Sequence, residues 1–193
     1  ETSDEWITTR TGIKQRRIAS KTEAVSDLAV RAAQNALEDA RLKPEHLDLI
    51  IVATVTGDMQ FPSVSCLVQK ALGAPGAVCF DIAAACSGFV HALTIAHQFI
   101  ARGSSRNALV IGAEKMSAIT DWTDRNTCVL FGDGAGAAVM SEVKSGGLLA
   151  SYLGSDGAMS DLLMVPAGGS RSPASHKTVD ERLHYVKMRG NEL

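Results

Sequence analysis

"AVCFDIAAACSGFVHALTIAHQFIARG", residues 77–103, carries the pattern that decides the fold. Residues 77–82 are a short apolar run between Gly76 and a row of alanines, as expected of a buried strand. The period then changes. Phe89, Leu93, Ala96 and Ile100 recur three or four residues apart, which puts them on one face of a helix over 87–102, and Gly103 closes it. Strand and helix are joined by Ala83, Ala84, Ala85 and Cys86. A thiol serving only as core filler needs no such row of small neighbours. A thiol that meets a ligand at the mouth of a helix does.

The same alternation continues on both sides. Upstream, Leu28, Ala32 and Ala36 form one stripe of a helix over 24–40, with Val25, Ala29 and Leu37 beside it and Arg31, Glu38 and Asp39 outside. Thr22 or Ser26 is its expected cap, and Pro44 lies just past its end. Residues 49–55 then read as a continuous apolar strand. Pro62 and Ser63 open a helix toward Leu72, punctuated by Gly73, Pro75 and Gly76. Residues 108–113 are the next apolar strand. Strands apolar on both faces, alternating with helices, predict an α/β chain with a parallel sheet covered on both sides. Beyond 113 the pattern weakens. Residues 114–126 are polar and irregular, 129–131 and 135–143 read as strand, and 148–153 is expected to pair back as a hairpin after Gly146-Gly147. Residues 154–173 read as loop, and 179–193 are ambiguous.

With 193 residues and 46% hydrophobic content, the chain can bury a real core. Aromatics are only 5%, which suits tight helix-on-sheet layers better than an aromatic-rich sandwich. A net charge of −2 gives no electrostatic case for nucleic acid or an anionic membrane. No apolar run would span a bilayer and no signal-peptide pattern is present. Cys66, Cys79, Cys86 and Cys128 match no zinc spacing and read as reduced thiols of a cytoplasmic chain. No metal or redox cofactor is expected.

In an open α/β sheet, ligands bind beyond the carboxyl ends of the strands, which is where Cys86 falls. A helix N-terminus favours a thiolate, and nearby N–H groups can hold an oxyanion during acyl transfer. Spacing alone leaves two readings of Cys86, a nucleophile or a small packed residue. Cys79 in a strand, Cys66 in a helix and Cys128 entering a strand read as filler. A nucleophilic thiol needs a base, yet His46, His91, His97, His176 and His184 offer no convincing partner. "FGDGAGA", residues 131–137, lacks the Gly-Lys-Ser/Thr of a phosphate loop and reads as a tight turn where backbone passes close to another element or to the site. "DWTDR", residues 121–125, sets an arginine near an indole, which can clamp a nucleotide or simply form a salt-bridged surface loop. Trp6 and Arg10 are four residues apart and share a helical face.

Four stretches carry a resemblance: "TSDEWITTRTGI" (2–13), "DIAAACSGF" (81–89), "DWTDR" (121–125) and "FGDGAGAA" (131–138). In order and spacing they resemble the β-ketoacyl-acyl-carrier-protein synthase III family, across essentially the whole chain. The resemblance implies a thiolase-like fold, layered α/β/α, of which residues 1–193 would be mostly the N-terminal half without its first strand. It implies that Cys86 takes an acyl group, commonly acetyl, from acyl-CoA as a thioester. Malonyl-acyl-carrier-protein then loses CO₂ and attacks that thioester, which starts type II fatty-acid synthesis. Trp6 and Arg125 match residues that sandwich the CoA adenine, Arg10 one near the CoA phosphates, and Thr2 a further CoA contact. Met188, Gly190 and Asn191 fall in an "M-x-G-N" stretch bordering the CoA channel. Phe61 matches a residue that lines the partner's acyl pocket across a homodimer interface. CoA thioester is thus a substrate and no cofactor is implied.

The departures are specific. The family's His-Gln-Ala-Asn and Gly-Asn-Thr-Ser motifs, which supply the base and an asparagine, do not occur in these residues. The expectation is a fragment, or part of a longer protein, incomplete for decarboxylation and with an apolar face where a second half belongs. Position 122 is Trp where some members have Pro. Two rivals keep the fold: a condensing enzyme of secondary metabolism and a non-catalytic partner subunit, the latter lacking the cysteine. A plain CoA-binding module is a third.

Overall fold

The computed structural model describes residues 3–190, which divide into two compact units. The first unit comprises residues 19–115 and 134–153 and is built on a four-stranded sheet in the order β2-β1-β3-β4. Its strands are β1 (Leu49–Ala53), β2 (Val78–Ile82), β3 (Asn107–Lys115) and β4 (Asp133–Ser141). β1 runs parallel to both β2 and β3, pairing Ile51 with Phe80 and with Val110. β4 is the exception. The Glu142 N–H donates to the Arg106 carbonyl, which brings the end of β4 to the start of β3, so the two run antiparallel.

Alternation along the strands sorts the helices into two layers. Ile50 and Val52 of β1 and Leu109 and Ile111 of β3 pack against α2 (Val25–Ala40) and α3 (Val64–Leu72). Leu49 and Ile51 of β1 and Ala108 and Val110 of β3 pack against α4 (Gly88–Ala101) on the other face. The layering is α/β/α, as expected from strands apolar on both sides. α4 approaches closely because Gly88, Ala92 and Ala96 form its buried stripe. A Cβ at Gly88 would lie 3.0 Å from the Cβ of Ala53.

The second unit holds residues 3–18, 116–133 and 154–190 of the described chain. Its elements are short: α1 (Asp4–Thr11), β5 (Leu163–Met164), α5 (His176–Asp180) and β6 (Lys187–Met188). α1 buries no residue, so its end groups hold it. Ser3 Oγ accepts the Trp6 N–H at 3.1 Å, Asp4 and Glu5 occupy the first turn, and Gly12 ends it at φ 70°.

Several expectations fail. α2 is capped by neither Thr22 nor Ser26. It starts after Ala24, whose N–H donates to Asp27, while the Asp58 carboxylate takes the Ser26 N–H and hydroxyl. Val129 and Leu130 form turn and Phe131 lies in the link before β4, so Cys128 enters no strand. The "FGDGAGA" stretch is not a tight turn, but its backbone does pass close to another segment, since a Cβ at Gly132 would lie 3.1 Å from the Arg17 carbonyl oxygen. Its glycines from 134 onward lie within β4, where small residues suit a strand facing a cavity. Residues 148–153 form no hairpin, and Leu149 and Tyr152 are exposed. Among the described residues no helix is long and apolar enough to cross a membrane.

Candidate active site

Cys86 lies in a single 3-10 turn, Ala85–Ser87, between the end of β2 and α4. The helix proper starts at Gly88, one residue later than expected. Ala85 stands at φ 43°, a left-handed conformation that costs an L residue about 1–2 kcal/mol. The Ser87 N–H donates to the Ala84 carbonyl at 3.2 Å and closes the turn. A strained turn from strand to helix throws the intervening side chain outward. Cys86 is accordingly the exposed member of the four free cysteines.

Beside it is a cavity of about 290 Å³ lined by Cys86, Phe89, Gly112, Glu114, Gly134 and Gly136, with alanines between. The sheet's alternation explains this wall. Val110 faces α4, so Gly112 and Glu114, two and four residues on, face the same way. On β4, Ala135 and Ala137 pack toward α2 and α3, which turns Gly134 and Gly136 toward the cysteine. A Cβ at Gly134 or Gly136 would meet nothing within 4 Å, so these glycines keep the wall low. The result is a small, largely apolar pocket with one thiol.

Glu114 is the functional candidate that sequence reasoning missed. Its carboxylate accepts the Val55 N–H at 2.8 Å, the Thr56 hydroxyl, and the Thr54 hydroxyl at 3.4 Å. It thereby ties the residues after β1 to the end of β3 beside Cys86. Period-two counting from Val110 was the signal that could have found it.

The other thiols are placed differently. Burial, with Cys66 and Asp81 nearby, pushes the Cys79 thiol up to about 11, which keeps it protonated and inert. None of the five histidines lines the Cys86 cavity. His91 Nδ1 is 2.9 Å from the Ser87 carbonyl, and His184 Nε2 is 2.9 Å from Thr178 Oγ1.

The second unit has a groove of about 730 Å³, lined by Trp6, Arg10, Arg125, Asn126, Met188 and Gly190 among others. It unites five residues chosen from sequence that are far apart along the chain. The Arg10 guanidinium sits 4.2 Å from the Trp6 ring centroid, a cation–π contact one helical turn apart. Two consecutive aspartate turns present Arg125: Asp121 accepts the Thr123 N–H, and Asp124 accepts the Asn126 N–H. Trp122 is exposed and is not among the groove walls. Thr2 and Asn191 lie outside the described residues. Phe61 stands 82% exposed before α3 and is part of neither lining.

The site is thus a thiol on a sharp strand-to-helix turn, facing a cavity walled by glycines. The family profile for 3-oxoacyl-[acyl-carrier-protein] synthase III matches residues 80–157. β-Ketoacyl-[acyl-carrier-protein] synthase III of Caldanaerobacter subterraneus subsp. tengcongensis is 63% identical over 194 residues, which cover 100% of this chain. Along its whole length the chain resembles the β-ketoacyl-acyl-carrier-protein synthase III family. The Clostridioides difficile synthase III is 56% identical, again over 100% of this chain. In both cases the chain spans 59% of the relative's length. The crystal structure of the synthase III from Aquifex aeolicus superposes with a TM-score of 0.87 at 50% identity, covering 100% of this chain and 57% of that one. A priming β-ketosynthase of a polyketide pathway superposes with a TM-score of 0.89 at 37% identity, covering 99% and 56%. These neighbours share the thiolase-like synthase III fold.

Proposed function

We propose that the protein carrying this chain is a condensing acyltransferase that starts type II fatty-acid synthesis. Cys86 is the nucleophile. Its sulfur attacks the carbonyl of acetyl-CoA or another short acyl-CoA, the carbon–sulfur bond to CoA breaks, and CoA leaves as the thiol. Malonyl-acyl-carrier-protein then releases CO₂. The electron pair left on its α-carbon attacks the thioester and frees Cys86, yielding a β-ketoacyl-acyl-carrier-protein. Trp6 and Arg125 hold the CoA adenine and Arg10 the phosphates, with Thr2, Met188, Gly190 and Asn191 along the channel. CoA thioester is a substrate, and no resident cofactor takes part.

The observation that carries the reading is the exposed Cys86 on its strained turn at a cavity of about 290 Å³. Stacking and charge in the Trp6–Arg10–Arg125 groove support a nucleotide-bearing donor. A homodimer is proposed as well, supported by β2 at the edge of the sheet and by exposed Phe61, which would reach the partner's acyl pocket. A cytoplasmic location fits reduced thiols.

The test is acetyl-CoA incubation of the full-length gene product, followed by peptide mapping. One acetyl group on the peptide containing Cys86, absent from Cys86→Ala, is expected. Label elsewhere, or none, would overturn the assignment. Similarity to the polyketide priming synthase keeps a second reading, a condensing enzyme of secondary metabolism. Preference for longer or branched acyl donors over acetyl-CoA would favour it. The presence of Cys86 counts against a non-catalytic partner subunit. Binding of CoA without acylation would favour a plain binding module.

A further inference from the structure

We infer that Asp121 is a positioning residue for the nucleotide groove, joining its two separately encoded walls at one buried carboxylate. The inference rests on the reading that the groove receives the nucleotide end of a CoA thioester. Asp121 does not line the groove. It lies behind the wall that carries Arg125, with its side chain only 6% exposed. Its Oδ1 accepts the Thr123 N–H at 2.9 Å and the Thr123 hydroxyl at 2.7 Å, which folds the start of the Arg125 loop. The Asp121 carbonyl accepts the Asp124 N–H at 3.0 Å and carries the turn on to Arg125.

The other wall is gripped by the same carboxylate. Arg182 donates to it from Nε at 3.1 Å and from Nη2, and Lys187 Nζ lies 4.0 Å from Oδ2. This is the forked pairing that a guanidinium makes and an ammonium cannot. Arg182 stands at φ 56°, the left-handed residue that ends α5, where the Leu183 N–H donates to the Thr178 carbonyl at 3.0 Å. From there the chain passes Tyr185, whose ring centroid is 5.3 Å from the Arg182 guanidinium. The Val186 N–H then bonds to the Ile119 carbonyl at 2.8 Å, and Met188 and Gly190 enter the groove. Cutting the Asp121–Arg182 link should let the walls drift apart without touching a groove residue. The Thr123 hydrogen bonds, with Arg182, bring the Asp121 carboxyl down to about 2, so the link is charged at neutral pH.

The test uses the full-length gene product with Asp121→Asn, Arg182→Ala and the double variant. CoA affinity is measured by calorimetry. Cys86 acylation is followed with acetyl-CoA and with the acetyl thioester of N-acetylcysteamine, which has no nucleotide. Each single variant is expected to raise the CoA Kd and the acetyl-CoA KM about tenfold with kcat kept. Rates with the short thioester should stay within about twofold, and the double variant should be no worse than Asp121→Asn alone. Equal losses on both donors, unchanged CoA affinity or additive effects would overturn the inference. Should Asp121→Asn fail to fold, Arg182→Ala decides, because that side chain is half exposed. Wild-type protein that neither binds CoA nor acylates would sink the functional reading and this inference together. Wild-type protein that does both, beside variants with unchanged CoA affinity, would sink the inference alone.

Discussion

Cys86 and Arg125 are both exposed on loops, yet the two units hold them by different means. In the sheet unit the loop is held by packing. α4 lies against β1 through Gly88, Ala92 and Ala96, and the turn bearing Cys86 has nowhere else to go. In the other unit the loop is held by hydrogen bonds: Asp121 and Asp124 fold it on themselves, and Arg182 anchors it. Packing is set by the volume of many side chains and resists single polar changes. A hydrogen-bonded loop depends on a few charged groups and is sensitive to their ionisation.

The largest test of this contrast is Cys86→Ala. It should lower acyl transfer by on the order of 10³-fold or more while CoA binding to the other unit persists, as read by acylation assay and calorimetry. Loss of CoA binding with an intact fold would mean that the two functions are not separable. Next is Gly88→Val. A Cβ added at Gly88 would already lie 3.0 Å from the Cβ of Ala53, so the valine should cost about 1–3 kcal/mol in a denaturant titration and slow acylation by shifting the Cys86 turn. Unchanged stability would show that α4 is held less tightly than its small-residue stripe implies.

A smaller effect is expected at Arg125→Ala. Removing one stacked cation should weaken CoA about tenfold, about 1.4 kcal/mol, and spare a thioester without a nucleotide. Equal loss on both would place Arg125 at the chemistry instead. The last test is acid. The Asp121 carboxyl is lowered from 3.8 to about 2, so its stabilisation is present above the unfolded value and is lost as pH falls from about 4 toward 2. Amide exchange in residues 121–128 should rise across that window, and a carboxyl titration by NMR should place the Asp121 midpoint near 2. A midpoint near 3.8 would show that the loop is held by something other than this carboxylate.

The same contrast governs what could be read in advance. Helices α2, α3 and α4 and strands β1 and β3 were legible because each buries residues at a regular period; β2, expected to be buried, is an edge strand with Val78 exposed and its other residues half-buried. Cys86 followed from its place between a strand and a helix, and the resemblance pointed to the groove residues Trp6, Arg10, Arg125, Met188 and Gly190. Residues 129–131 looked like strand because they are apolar, but they join no sheet, and Val129 and Leu130 fold as turn. The cap of α2 was misread because its acceptor, Asp58, comes from 32 residues away. Glu114 was passed over because its donors, Val55 and Thr56, lie on a different strand end.

The sequence by itself determined the layered α/β/α core and the place of Cys86 between a strand and a helix, because local period and small-residue spacing are properties of consecutive residues. Only the tertiary structure decided which distant groups meet. Glu114 reaches the end of β1, Asp121 reaches Arg182, and Gly134 and Gly136 face Cys86. Each of these depends on side chains brought together by the packing of separate segments, and no local pattern records that.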